Sequence, residues 1–302
     1  MRPADIPAAR ELSFAAIDQV RKTTSSTAGP LGGNTPVNTA GRTDSIGPDL
    51  ATRNARWERR AAFMLEHDPN GCWVADDGSG MVIGVTMSLQ REKLWALSAL
   101  FVRPDQQNKG VGAALLDAAL GYSQGCLRGL LISTEDPRAA RRYRRAGFDL
   151  HPTIRIAGIV DHTAVPAIDT VRVGGDSDRD LCDSIDRRAR GAAHGVDHDF
   201  LGSEYTLLVT DQLTGSGYCY VDEAGSPMLL GATTKRLAGQ LLWAALERAR
   251  PDVPVAINYL TPDQDWAIDV ALAAGLSLRT EGYLCLRHMR PPVPYLPSGA
   301  FL

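Results

Sequence analysis

The segment that most constrains the fold of this chain lies between residues 94 and 120. An almost wholly apolar run, Leu94 to Val102, has the character of a strand buried on both faces. A second apolar run, Ala113 to Leu120, reads as a helix. Between them stand Gln107-Asn108-Lys109-Gly110-Val111-Gly112-Ala113. A strand that turns through glycines into a helix leaves the first helical N–H groups without internal partners, and glycine lets a ligand come close to them. A pyrophosphate suits such a junction. Taken alone, the segment also describes an ordinary strand-to-helix turn. It lacks the Gly-Lys-Ser/Thr ending of a P-loop and the third glycine of the dinucleotide fingerprint.

Residues further along the chain narrow the choice. Arg128 to Ser133 is another short strand, and after it comes Asp136-Pro137-Arg138-Ala139-Ala140-Arg141-Arg142-Tyr143-Arg144-Arg145-Ala146-Gly147-Phe148. The order strand, Gln-x-x-Gly-x-Gly-Ala, helix, strand, Ala-x-x-x-Tyr-x-x-x-Gly-Phe resembles the GNAT superfamily of acyl-CoA-dependent N-acetyltransferases, over residues 5–160. The resemblance implies acetyl-CoA as co-substrate and no metal. It implies that Gln107, Asn108, Lys109, Gly110, Val111, Gly112 and Ala113 cradle the pyrophosphate. Leu100, Phe101 and Val102 would then pair with the pantetheine amides as a strand would. Asp136, Ala139 and Arg142 would complete the cofactor contacts, with Arg138 a further candidate. Tyr143 stands four residues before Gly147-Phe148, where the family places the acid that protonates the leaving thiolate. The family often has Asn at the position of Asp136. Aspartate loses the amide donors, and before Pro137 it also suits a helix N-cap. No general base stands out; Glu92, Glu135 and Asp136 are candidates by location.

The second half carries a faint copy of the first. Leu115 to Leu120 matches Leu241 to Leu246, and Ala146-Gly147-Phe148-Asp149-Leu150 matches Ala274-Gly275-Leu276-Ser277-Leu278, at nearly the same separation. A whole-domain repeat explains both matches. The expected fold is therefore α/β (α+β): two tandem GNAT folds, each a mixed, mostly antiparallel, splayed sheet flanked by helices. Residues 1–162 would bind acetyl-CoA and catalyse. Residues 163–302 would form a degenerate copy that ends in a docked Pro-rich tail. In register, Arg236 takes the place of Gly110, Ala238 of Gly112, Thr233 of Gln107 and Ala271 of Tyr143. Side chains at the glycine positions would crowd a pyrophosphate.

His194-Gly195-Val196-Asp197-His198-Asp199 has two histidines four apart, a spacing that shares a helix face. Gly191 and Gly195 argue against a regular helix, and no further ligand set is evident nearby. The expectation is a polar loop without metal, with His194 and Asp197 lining the acceptor site. Thr23 to Leu50, rich in Gly, Ser, Thr, Pro and Asn, reads either as a substrate loop or as a disordered insertion.

At 302 residues the chain suits two domains, and a net charge of −3 argues against nucleic acid as partner. No stretch is long and apolar enough to span a bilayer, and no signal core follows Met1. Five scattered cysteines read as reduced thiols, hence a cytoplasmic setting with no membrane partner. The expectation is a monomer or homodimer that moves an acetyl group from acetyl-CoA to a small-molecule or peptide amine by direct attack. The alternative is a noncatalytic acyl-CoA-binding sensor or biosynthetic accessory module.

Overall fold

The computed structural model describes residues 1–27 and 50–302. The first half contains α1 (Ile6–Thr27), α2 (Leu50–His67), β1 (Cys72–Asp76), β2 (Val82–Arg91), β3 (Leu94–Val102), α3 (Val111–Gly121), β4 (Arg128–Ser133), α4 (Pro137–Arg145) and β5 (Asp149–Gly158). The second contains β6 (Arg172–Val173), α5 (Arg179–Ala189), α6 (Asp197–Glu204), β7 (Thr206–Gln212), β8 (Gly215–Val221), β9 (Pro227–Ala232), α7 (Lys235–Glu247), β10 (Val255–Leu260), α8 (Asp265–Ala273), β11 (Ser277–Arg287) and β12 (Tyr295–Leu296). A helix pair, a three-strand meander, then helix, strand, helix and strand recur in the same order. The repeat read from two short matches is thus a repeat of architecture. Residues 23–27 continue α1 and Leu50 opens α2; the rest of the expected acceptor loop, residues 28–49, lies outside the described residues.

The sheets are not confined to their own halves. One runs β1-β2-β3-β4-β11-β5-β10 and the other β12-β9-β8-β7-β6. β11 lies between β4 and β5, pairing Tyr283 with Ser133 on one side and Leu284 with His151 on the other. β5 in turn pairs with β10, Ile156 against Ile257. Each half thus lends its last strand to the other, and edges that would otherwise be open are paired. The apolar core follows the exchange. One cluster joins Ile6, Met64 and Leu89 to Ile185, Phe200, Tyr218 and Phe301, while Cys285 packs among Trp95, Leu131 and Phe148. Burying a side chain such as Phe148 contributes roughly 3 kcal/mol. All five cysteines are unpaired, and four are buried.

Every strand pair is antiparallel except β3 with β4, which run parallel only from Leu94–Leu97 against Arg128–Leu131. Past Leu97 the two strands part, and one side of β3 has no partner strand among the described residues.

Candidate active site

The junction after β3 has the geometry that an anion requires. Gly110 has φ +89°, a left-handed conformation, and Asn108 has φ +65°. Gly110 caps α3 without a side chain. Its carbonyl accepts from Ala113 and Ala114, whereas the N–H groups of Val111 and Gly112 have no acceptor among the described residues. A Cβ added to Gly112 would lie 2.9 Å from Arg142 Nη1. The guanidinium of Arg142 therefore lies over the helix start, and the backbone is bare at the point of approach.

A cavity of about 650 Å³ begins at this junction and follows the unpaired side of β3. Leu100, Phe101 and Val102 line it, as do Gln107, Asn108, Gly110, Gly112 and Ala113. Asp136, Ala139, Arg142, Arg138 and Tyr143 line it from α4 and its approach. Lys109 and Val111 do not. The ammonium of Lys109 donates to Gln106 Oε1 at 3.2 Å, and the side chain of Val111 packs towards Gly84 on β2.

Tyr143 is buried and packs edge-on against Phe148 at a centroid distance of 6.4 Å. Its hydroxyl bonds to no described residue, and Tyr143 lines the cavity. Burial, helped by the neighbouring Cys285, raises its pKa well above that of an ordinary tyrosine, so it stays a protonated phenol at neutral pH. Asp136 is the N-cap of α4. Its carboxylate accepts from the Arg138 N–H at 2.8 Å and pairs with the Arg138 guanidinium at 2.6 Å. The Arg138 side chain holds the carboxyl of Asp136 below its ordinary value. The cap reading of this residue stands, and its lone pairs are committed.

The cavity also has walls that the sequence did not disclose. Trp57 and Arg60 come from α2; Tyr259, Glu281 and Gly299 come from the second half. Glu281 accepts the Tyr259 N–H at 2.8 Å. Burial pushes its carboxyl pKa up, against the pull of that bond and of Arg155 and Arg279. Tyr259 reaches this position with φ +62°, at a break in the β10–β5 register between Ile257 and Leu260. Of the carboxylates considered as bases, Glu92 faces Arg187 and the Ala193 N–H, and neither it nor Glu135 lines the cavity.

His194 and Asp197 correct the sequence reading. Neither reaches the cavity, and both are fully buried. His194 Nδ1 and His198 Nε2 lie 2.7 and 3.0 Å from one oxygen of Asp186. Tyr218 donates to the other oxygen, and the Tyr295 hydroxyl lies 3.3 Å from His194 Nε2. Asp197 accepts from Arg91 at 2.6 and 3.0 Å, and Arg91 also pairs with Asp68 at 2.9 Å. Burial, reinforced by Arg190, pushes the pKa of His194 down to about 3. The physical reason for the correction is saturation: these groups satisfy one another and tie β2 to the second half. Asp186, His194 and His198 bring one ligand atom each within 4.8 Å of the others. Asp186, on α5, is the member that the local motif did not reveal. Each of the three already has a hydrogen-bonding neighbour, and the Arg190 guanidinium abuts His194.

The second junction is closed. Thr234 caps α7, its hydroxyl accepting from the Leu237 N–H at 3.3 Å, and the Thr233 hydroxyl accepts from Ser216 N–H at 2.9 Å. β12 pairs with β9, Tyr295 against Gly231 and Leu296 against Leu230. The tail thus fills the side of β9 that corresponds to the free side of β3. Ala271, at the place of Tyr143, is buried in the second half's own core.

Residues 68–150 match the acetyltransferase (GNAT) domain family. Among solved structures, a putative acetyltransferase from Pyrococcus horikoshii is similar with a TM-score of 0.74 at 15% identity, over 100% of this chain and 93% of that one. A GCN5-related N-acetyltransferase from Sphaerobacter thermophilus is similar at 0.53 and 13%, over 99% and 97% of the two chains. A tandem GNAT protein from the clavulanic acid biosynthesis pathway is similar at 0.52 and 15%, over 94% of each. None of the curated proteins matches the sequence. No described helix is long and apolar enough to cross a membrane. Residues 68–150 thus match the family's domain, and the fold of the whole chain is that of the tandem GNAT proteins it is similar to.

Proposed function

We propose that this protein is an N-acetyltransferase in which residues 1–162 bind acetyl-CoA and residues 163–302 complete the acceptor side of the same cavity. The observation that carries the reading is that the open junction at Gly110–Gly112 and Tyr143, whose hydroxyl bonds to no described residue, line one cavity. The pyrophosphate sits on the free N–H groups of Val111 and Gly112 beneath Arg142. The pantetheine lies along the free side of Leu100 to Val102. This places the thioester beside Tyr143.

Glu281 is the base on this reading, and it takes over from Glu92, Glu135 and Asp136. Its carboxylate removes a proton from the acceptor's ammonium. The freed lone pair attacks the thioester carbonyl, the C–N bond forms and the C–S bond breaks. Tyr143 gives its proton to the departing thiolate, the new amide nitrogen sheds its surplus proton to solvent, and Tyr143 recovers one from there. Burial serves both roles: it brings Glu281 closer to neutral pH as a base and keeps Tyr143 protonated as an acid.

Thiol release from acetyl-CoA across a panel of amines tests the reading. Tyr143→Phe should lower turnover by about 100-fold with acetyl-CoA affinity unchanged. In the unaltered enzyme kcat/KM should rise with pH, because Glu281 must lose its proton. The midpoint should lie above the ordinary glutamate value of about 4.3. Glu281→Gln should remove that limb. Tight acetyl-CoA binding with no release from any amine would return the chain to the noncatalytic binding module.

A further inference from the structure

We infer that the acceptor is an amine that also carries a carboxylate, and that Arg60 is the group that receives it. The inference rests on the acetyltransferase reading above and deepens it.

Arg60 differs from the other arginines of its helix. Arg56 and Arg59 both bond to Glu204, and Arg53 lies over the ring of Phe14. Arg60 has no carboxylate partner among the described residues, and its buried Nε has no hydrogen-bond acceptor. Its guanidinium lies 5.9 Å from the centroid of Trp57, a buried ring in the same cavity wall. The aromatic face holds the plane of the fork in place without using its donors. Burial lowers the pKa of Arg60, against the weaker opposing pull of the phenols Tyr205 and Tyr259. A desolvated cation without a counter-ion destabilises a fold, and the cost is recovered when an anion arrives. Glu281 and Asp136 also line the cavity, but neither pairs with Arg60 among the described residues, and an anionic group on the ligand would supply that partner.

The second charge in the wall fixes the kind of molecule. Tyr259 feels the charges of Glu281, Arg155 and Arg60, and it lines the same cavity as Glu281 and Arg60. An acceptor with an ammonium for Glu281 and an anion for Arg60 satisfies both. Such a molecule is an amino acid or a short peptide with a free carboxylate. A phosphate dianion fits less well, because the single charge of Arg60 would leave one negative charge uncompensated near Glu281. The strained backbone of Tyr259 supports the same assignment: φ +62° in a bulky residue is held where it presents its N–H to Glu281.

The test compares matched amines that differ only in the anion: amino acids and dipeptides against their carboxamides, with the corresponding aminoalkyl phosphates as a third series. Thiol release from acetyl-CoA gives kcat/KM for each, and calorimetry gives acetyl-CoA affinity. The carboxylates should be preferred over the amides by about 10- to 100-fold, the range of a charged hydrogen-bonded pair. Arg60→Met, which keeps the stem and loses the charge, should erase the preference and leave acetyl-CoA affinity unchanged. Arg60→Lys, which keeps the charge without the fork, should restore part of it. Equal or better use of the amides, a preference for phosphates, or a preference that survives Arg60→Met would overturn the inference while leaving the acetyltransferase reading intact. Bound acetyl-CoA with no thiol release from any series would overturn both.

Discussion

At residues 102–113 the chain leaves β3 through Gly110 in the left-handed region and enters α3 with two N–H groups free. At residues 232–238 it leaves β9 through Thr233 and Thr234, whose hydroxyls accept from Ser216 and Leu237. The first junction is open because, among the described residues, only the Arg142 guanidinium lies over it: Gly110 and Gly112 carry no Cβ, no side chain caps α3, and past Leu97 no strand pairs with β3 on its β4 side. In the second, two hydroxyls replace the glycine turn and a pair of tail residues replaces the missing strand. The lesson concerns how an anion site is lost. The helix survives, along with its buried face of Leu237, Leu241 and Leu242, because packing maintains it. Only the few atoms that kept the N-terminus bare have changed. The second copy also supplies Tyr259, Glu281 and Gly299 to the first copy's cavity.

The strongest way to break this comparison is to separate the copies. Cut after residue 162, the first half loses β11, so β4 and β5 lose their shared partner and the core loses Cys285. Residues 1–162 alone should fail to fold to a form that binds acetyl-CoA, and co-expression with residues 163–302 should restore it. Calorimetry on both preparations checks this. Full affinity in the isolated fragment would mean that the exchanged strand is dispensable and that the halves are independent.

A smaller but sharper effect is expected from matched substitutions at the two junctions. Gly112→Trp places a ring between the helix start and Arg142, in the space a pyrophosphate needs. Acetyl-CoA affinity should fall by about 100-fold or more, a loss of about 2.7 kcal/mol. Arg236→Trp, at the place that Gly110 has in the first copy, should leave it unchanged. Titration should give one site per chain, and two sites would contradict the closed state of the second junction.

How far the sequence could carry these conclusions depends on whether a residue's partners are local. The places of Gly110, Gly112 and Tyr143 at the cavity were legible because they are set by the strand and helices that contain or flank them. So was the cap at Asp136, which needs only Pro137 and the Arg138 N–H. The repeat was legible because two helices kept their apolar faces. The exchange of β5 and β11 left no trace in the pattern, since a strand buried between two neighbours reads the same whichever half supplies them. Glu281 was invisible for that reason: it reaches the cavity through a swapped strand. His194 and Asp197 misled for the opposite reason. A run of His and Asp suggests ligand chemistry, but Asp186 and Arg91, which consume their valences, are eight and 106 positions away in sequence.

The finest test asks whether the cap or the tail closes the second junction. Thr234→Ala removes the hydroxyl that accepts the Leu237 N–H and leaves the tail in place on β9. Loss of an N-cap of this kind costs about 1 kcal/mol. The urea midpoint should fall correspondingly, with the slope of the transition unchanged. The freed N–H group alone should not recreate a binding site, because Arg236 and Ala238 still stand where glycines are needed and Tyr295 and Leu296 still occupy the side of β9. Acetyl-CoA stoichiometry should therefore stay at one. A second site appearing in this variant would show that a single hydroxyl closes the junction, and the tail would then be a strap on the fold with no part in excluding the cofactor.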